Sequence, residues 1–173
     1  DQLSFMFTST NDLGISGDYT AGVEPQTGVK LGAIPDEVPL YTSTGDGNWS
    51  DAIWSPVAPA GGPRGSRVQI DHHVTMIGNF TSSYVIEIGA SGRLSLDATY
   101  GHRLGDIKGS GILHILSGNL PSGLYDEFIQ ASGGTIEFGG TAVDYSVLSD
   151  FTSVNNVLFS GTGTRNLPTE NIT

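Results

Sequence analysis

The sequence predicts an all-β chain wound as a parallel β-solenoid, and three observations carry that expectation. Apolar pairs recur at a near-constant interval of roughly 20 residues, within the range of stacked repeat architectures. They are Val74 and Met76, Leu94 and Leu96, Leu113 and Ile115, Ile136 and Phe138, then Val157 and Phe159. Within each pair the spacing is two, so both side chains leave a strand on one face while the residue between them points the other way. The strands end in Gly-Ala-Ser-Gly (89–92), Gly-Ser-Gly (109–111), Gly-Gly (133–134 and 139–140) and Gly-Thr-Gly (161–163). These segments suit corners that need permissive dihedrals, whereas Asn-Gly and Asp-Gly hairpin dipeptides are nearly absent from 68–168. A β-sandwich is the alternative, since short strands with glycine-rich turns also describe that class.

Residues 1–44 stand outside the repeat. Segments 3–8, 28–34 and 38–42 read as strands, separated by turn residues such as Asn11-Asp12, Ser16-Gly17-Asp18 and Pro35-Asp36. They are expected to form either a cap on the first rung or the tail of a preceding β domain. Residues 45–67 are irregular, and their two tryptophans, Trp49 and Trp54, sit in a turn-rich setting. Exposed indoles would stack on sugar rings; buried ones plug the end of a core, which is the expectation here.

The solenoid is expected over 45–173. A second, looser apolar series (Val68 and Ile70, Ile86 and Ile88, then Ile107, Ile129 and Phe151) falls between members of the first and implies two short strands per rung. In Val85-Ile86-Glu87-Ile88, Arg93-Leu94-Ser95-Leu96-Asp97 and Thr135-Ile136-Glu137-Phe138 the intervening residues are polar and should face outward. One such rung cannot bury its apolar face, but stacked rungs share a continuous core. A helical turn is expected only within 120–130. Segment 169–173 reads as the approach to another strand, so the repeat is expected to continue beyond residue 173 and to cover an otherwise open last rung.

With 173 residues, 25 glycines and two methionines, the composition suits a turn-rich β protein with a sizeable core. The formal charge is −11, from 18 acidic against 7 scattered basic side chains. That balance argues against nucleic acid, which needs clustered Lys and Arg to neutralise phosphate, and against anionic lipid. Its plainest role is to keep an exported β protein soluble. Cysteine is absent, which removes disulfides, thiolate metal sites and a cysteine nucleophile. No apolar run is long enough to span a membrane, and no signal peptide is visible.

Parallel β-helices include polysaccharide lyases and hydrolases, whose sites gather carboxylates and basic residues along one face of consecutive rungs. The nearest candidates are Asp71, His72 and His73, followed by His102, Arg103 and Asp106. Adjacent side chains on extended backbone diverge, so His72 and His73 should not share a metal. His114, between Leu113 and Ile115, should sit on the outer face as a solvated or hydrogen-bonded residue. The carboxylate pairs Asp36-Glu37 and Asp126-Glu127 are turn neighbours without a third acidic partner. Calcium at Asn11, Asp12 and Asp18 lacks an Asp-x-Asp-x-Asp pattern. Asn-x-Ser/Thr occurs at Asn48, Asn79 and Asn171 and is read as chance. No phosphate loop, nucleophile elbow or His-Glu-x-x-His helix is present. The expectation is therefore a chain with no catalytic, cofactor or metal site.

Gly47-Asn48-Trp49-Ser50, Trp54-Ser55, Val68-Gln69-Ile70 and Val74-Thr75-Met76 resemble the opening of solenoid regions in very large cell-surface proteins of the phylum Bacteroidota. Phe128, the stretch Gly133-Gly134-Thr135-Ile136-Glu137-Phe138, and Val154-Asn155-Asn156-Val157-Leu158-Phe159-Ser160-Gly161-Thr162-Gly163-Thr164-Arg165-Asn166-Leu167-Pro168 are similar to their repeat unit. There an aromatic-Asn-Asn-Leu strand leads through Ser-Gly-x-Gly into a Thr-Lys-x-Leu corner. Val154 stands where that unit has tyrosine and Arg165 where it has lysine; the first removes an aromatic contact, and neither should change the backbone path. The resemblance covers 45–173. It implies export by the type IX route, a place on the cell surface, and a non-catalytic role as stalk or adhesin, often linked to gliding motility. The implied partners are further repeats of the same chain, surface polysaccharide or other surface proteins. A carbohydrate-active β-helix enzyme or sugar-binding module is the alternative, and a clustered polar row on one outer face would distinguish it.

Overall fold

The computed structural model describes residues 38–78, 83–97, 101–147, 154 and 156–167. The chain divides into two compact units, Asp1–Pro35 and Asp36–Thr173, and all of the described residues belong to the second. The expected strands at 3–8 and 28–34, the calcium candidates Asn11, Asp12 and Asp18, the Asp36-Glu37 pair, Asn79, Asn171 and Phe151 lie outside the described residues.

Fourteen strands are described: β1 Leu40–Ser43, β2 Gly47–Asn48, β3 Trp54–Ser55, β4 Arg67–Ile70, β5 His73–Met76, β6 Val85–Ile88, β7 Arg93–Leu96, β8 Arg103–Gly109, β9 Ile112–Ile115, β10 Ser122–Leu124, β11 Thr135–Phe138, β12 Tyr145–Ser146, β13 Val157–Phe159 and β14 Arg165–Asn166. They form a first sheet ordered β10-β8-β6-β4-β1-β3, a second ordered β13-β11-β9-β7-β5-β2, and a two-stranded pair β12-β14. β1 and β2 pair with β4 and β5, and from β4 to β14 each strand skips its neighbour in sequence to pair with the equivalent strand one rung away. Every pairing is parallel except β1 with β3. The protein is a parallel β-solenoid of about four turns.

The apolar pairs stack in register. In the second sheet Val74, Leu94, Leu113, Ile136 and Val157 form one inward column, and Met76, Leu96, Ile115, Phe138 and Phe159 form the other. Across the interior, Val68, Ile86 and Ile107 stack in the first sheet, as do Ile70 and Ile88. All but Val157 and Phe159 of these columns are buried. Phe159 stacks on Phe138 with ring centroids 5.6 Å apart, yet remains 43% exposed. At the other end Trp49 and Trp54 are buried edge to face, their indole N–H groups donating to Pro63 O and Trp49 O. They plug the core, as the structural reading of the two indoles expects.

Three features depart from the simple repeat. β1, within the stretch expected to be a cap or a preceding tail, pairs in parallel with β4, while β3 covers β1 from the other side. β8 carries a bulge at Gly105, whose φ of 70° is in the left-handed region. The extra residue turns both Leu104 and Ile107 inward and buries them. Ile129 is not in a strand: the described strand of that rung is β10, exposed throughout. Residues 126–129 instead form a turn closed by Ile129 N–H donating to Tyr125 O, inside the 120–130 segment expected to hold a helical turn. Phe128 fills the core there, fully buried.

Candidate functional site

The residues between the inward pairs of the second sheet form their own outer columns. Thr75, Ser95, His114 and Glu137 stand directly above one another, beside a second column of His73, Arg93, Ile112 and Thr135. Parallel pairing places equivalent positions about 4.8 Å apart, close enough for long side chains to reach across one or two rungs. Six residues here join one network: His73 from β5, Arg93 and Ser95 from β7, His114 from β9, Glu137 from β11, and Ser160 just past β13.

Ser95 is its centre. Its Oγ lies 2.9 Å from His73 Nε2, 3.2 Å from His114 Nδ1 and 3.3 Å from Arg93 Nε. A hydroxyl has one proton and two lone pairs. Arg93 can only donate, so the Ser95 proton goes to one imidazole and the other imidazole must donate its N–H. The hydroxyl is then saturated. Arg93 reaches across the His114 rung and donates through Nη1 to Glu137 Oε2, while Ser160 Oγ donates to Glu137 Oε1 at 2.5 Å. Both carboxylate oxygens are thereby bound, and Glu137 is only 4% exposed although it leaves the outer face. Glu137 leaves the outer face, as its place between Ile136 and Phe138 predicts, but lies beneath a cover of neighbouring side chains.

Electrostatics follow from this packing. Burial disfavours the charged form of His114, and the Arg93 guanidinium adds to the effect, so its pKa is lowered from the ordinary 6.5 despite the opposing charge of Glu137. Burial also works against ionised Glu137. Hydrogen bonds from Arg93 and Ser160, with the charge of Arg93, outweigh it and hold the carboxyl below its ordinary 4.5. The His114 ring lies against Gly139, where any side chain would overlap its Nε2.

Of the candidates read from sequence, only His73 and His114 enter this network. Asp71 and His72 knit a corner instead: Asp71 Oδ1 accepts from Gln69 Nε2 at 2.8 Å, and Ser43 Oγ serves both the Asp71 N–H at 2.9 Å and His72 Nδ1 at 3.1 Å. His72 and His73 thus diverge, as extended backbone requires. His102 is buried and Arg103 exposed, so they present no common surface with Asp106, which pairs with Lys108 at 3.1 Å. Glu127 of the turn pair meets the same Lys108 at 2.8 Å. No group of three or more metal-ligating side chains occurs among the described residues, and none of their helices is long and apolar enough to cross a membrane. Arg93, Ser95, Glu137 and Ser160 were not singled out from the sequence. Aligning the rungs on their inward pairs would have placed Ser95, His114 and Glu137 in one column.

A second set of polar contacts fixes the C-terminal corner. Arg165 donates through Nη1 to Val143 O at 2.5 Å and through Nη2 to Gly139 O, Gly140 O and Ser160 O at 2.7, 3.1 and 3.3 Å. Its guanidinium also lies 4.4 Å from the centre of the Tyr145 ring. Comparison with known proteins yields no matching family model, no matching curated protein and no matching solved structure.

Proposed function

We propose that this chain is a non-catalytic segment of a large exported cell-surface protein, acting as a rigid stalk or adhesive element. The observation that carries this reading is the self-sufficiency of the outer polar row. A working nucleophile, base or general acid keeps a lone pair or proton free for substrate, whereas Ser95 Oγ and both Glu137 oxygens are already bound by neighbours. Bonds that cross from β7 to β11 and beyond β13 tie successive rungs together, which serves stiffness. The acidic, cysteine-free composition suits an exported protein, and the resemblance of 45–173 to Bacteroidota surface solenoids supplies the type IX export route, the adhesive role and the link to gliding. Further repeats of the same chain, surface polysaccharide and other surface proteins are the partners of this reading.

The test pairs chemistry with adhesion. The purified chain should release no reducing ends or unsaturated products from neutral or acidic polysaccharides, and should adsorb to polysaccharide-coated or cell-derived surfaces. Depolymerisation abolished by Ser95→Ala or Glu137→Gln would replace this reading with the carbohydrate-active one. The row lies where a β-helix enzyme would carry its site, so those two residues are the ones to change.

A further inference from the structure

We propose that His73, Ser95 and His114 form a proton-counting latch across three rungs of the second sheet, one that holds while at most one of the two imidazoles is charged. The latch rests on geometry and does not depend on the stalk reading. Both ring nitrogens converge on the same oxygen, at 2.9 Å from His73 and 3.2 Å from His114, and that oxygen already receives Arg93 Nε. Only one proton is available on Ser95 Oγ, so one imidazole must present a bare nitrogen. The donor imidazole can take a second proton on its far nitrogen without disturbing the contact. The acceptor cannot, because its nitrogen would then turn an N–H against the hydroxyl proton, with no lone pair left to receive it.

The surroundings decide which imidazole resists. From β7, Arg93 faces the pair with a fixed positive charge. From β11, Glu137 supplies a negative charge that is committed to Arg93 and Ser160. From the segment before β2, the Asp46 carboxylate accepts the His73 backbone N–H at 2.8 Å. His114 is half-buried against Gly139 and lies beside the Arg93 charge, so it is the acceptor that resists a second proton, which leaves His73, at an exposed position, as the donor to Ser95. When acid charges both, the Ser95 contact opens. Ser95 Oγ then faces three N–H donors with two lone pairs, so one of the three contacts is lost and the tie across β5, β7 and β9 loosens. Solvent acidity is thereby coupled to the stiffness of one face of the solenoid.

The test follows both imidazoles by NMR from pH 8 to pH 4 in the parent protein and in Ser95→Ala. In the parent protein His114 should stay neutral below the ordinary imidazole range, with its bare Nδ1 facing Ser95. In Ser95→Ala, where the shared oxygen is gone and nothing holds the His114 Nδ1 bare, His114 should take up its proton more readily than in the parent. His73→Gln, at an exposed position, is the second variant: it should raise the proton affinity of His114 by removing the competing charge. A His114 that takes up its proton at or above the ordinary imidazole value in the parent, or a His114 midpoint unchanged in both Ser95→Ala and His73→Gln, would overturn the latch.

Discussion

Arg165 shows how much a single side chain can carry at a corner. Its fork of donors meets four backbone carbonyls, those of Gly139, Gly140, Val143 and Ser160, while its plane lies over Tyr145. A lysine brings a compact ammonium with three donors and no plane, so it can satisfy only part of that set. Arg165→Lys should therefore cost about 1–3 kcal/mol in a urea melt, at the scale of one or two lost charge-assisted bonds. The expectation that arginine in place of lysine leaves the backbone path unchanged concerned the path alone; the carbonyls it gathers were not legible, because they come from the corner after β11 as well as from the end of β13. The outer row was illegible for a related reason. His114 could be placed on the outer face from its neighbours Leu113 and Ile115, but its partners lie one and two rungs away. Only the register reveals them.

Strands are the level at which the sequence spoke most clearly. Spacing of two inside each apolar pair specified β5, β7, β9, β11 and β13, since a one-residue slip would have turned every pair to solvent. It failed at two places where the backbone departs from alternation. Gly105 inserts a residue into β8, and the Phe128 turn displaces the strand expected at Ile129. Corners were legible as glycine clusters, though not their reason. At Gly92 it is close approach: a methyl group there would overlap the Ile70 carbonyl oxygen of the rung below. Gly92→Ala should then destabilise by about 3 kcal/mol, the upper part of the overpacking range. Equivalent core positions should also differ along the stack. Phe138→Ala should cost about 3–5 kcal/mol, whereas Phe159→Ala, at an inward position that is still 43% exposed, should cost roughly half as much. Equal losses in denaturant melts would mean that Phe159 is covered in solution.

At the scale of the whole molecule the acid limb of stability should fall in two steps. His114 resists protonation when folded, so the unfolded chain binds more protons once pH drops below about 6.5. Stability then declines through that region and levels off below the folded value. Glu137 ionises more readily when folded, so a second loss begins as pH falls through about 4.5 and continues to its depressed folded value. His114→Gln should remove the first step and Glu137→Gln the second, each read from melting temperature against pH. The solenoid itself was legible as a whole, because one interval repeated along the chain fixes both the stacking and its direction. One consequence concerns force. Ladder hydrogen bonds in stacked rungs run along the solenoid axis, so a pull between β1 and β13 loads them by peeling, one rung after another. Each rung set free would exchange about 4.8 Å of stacked height for roughly 65–70 Å of slack polypeptide. Optical-tweezer traces should then rise as a staircase of similar treads, and a single concerted rupture would contradict it. A stack that looks like a strut would behave under tension as a spool.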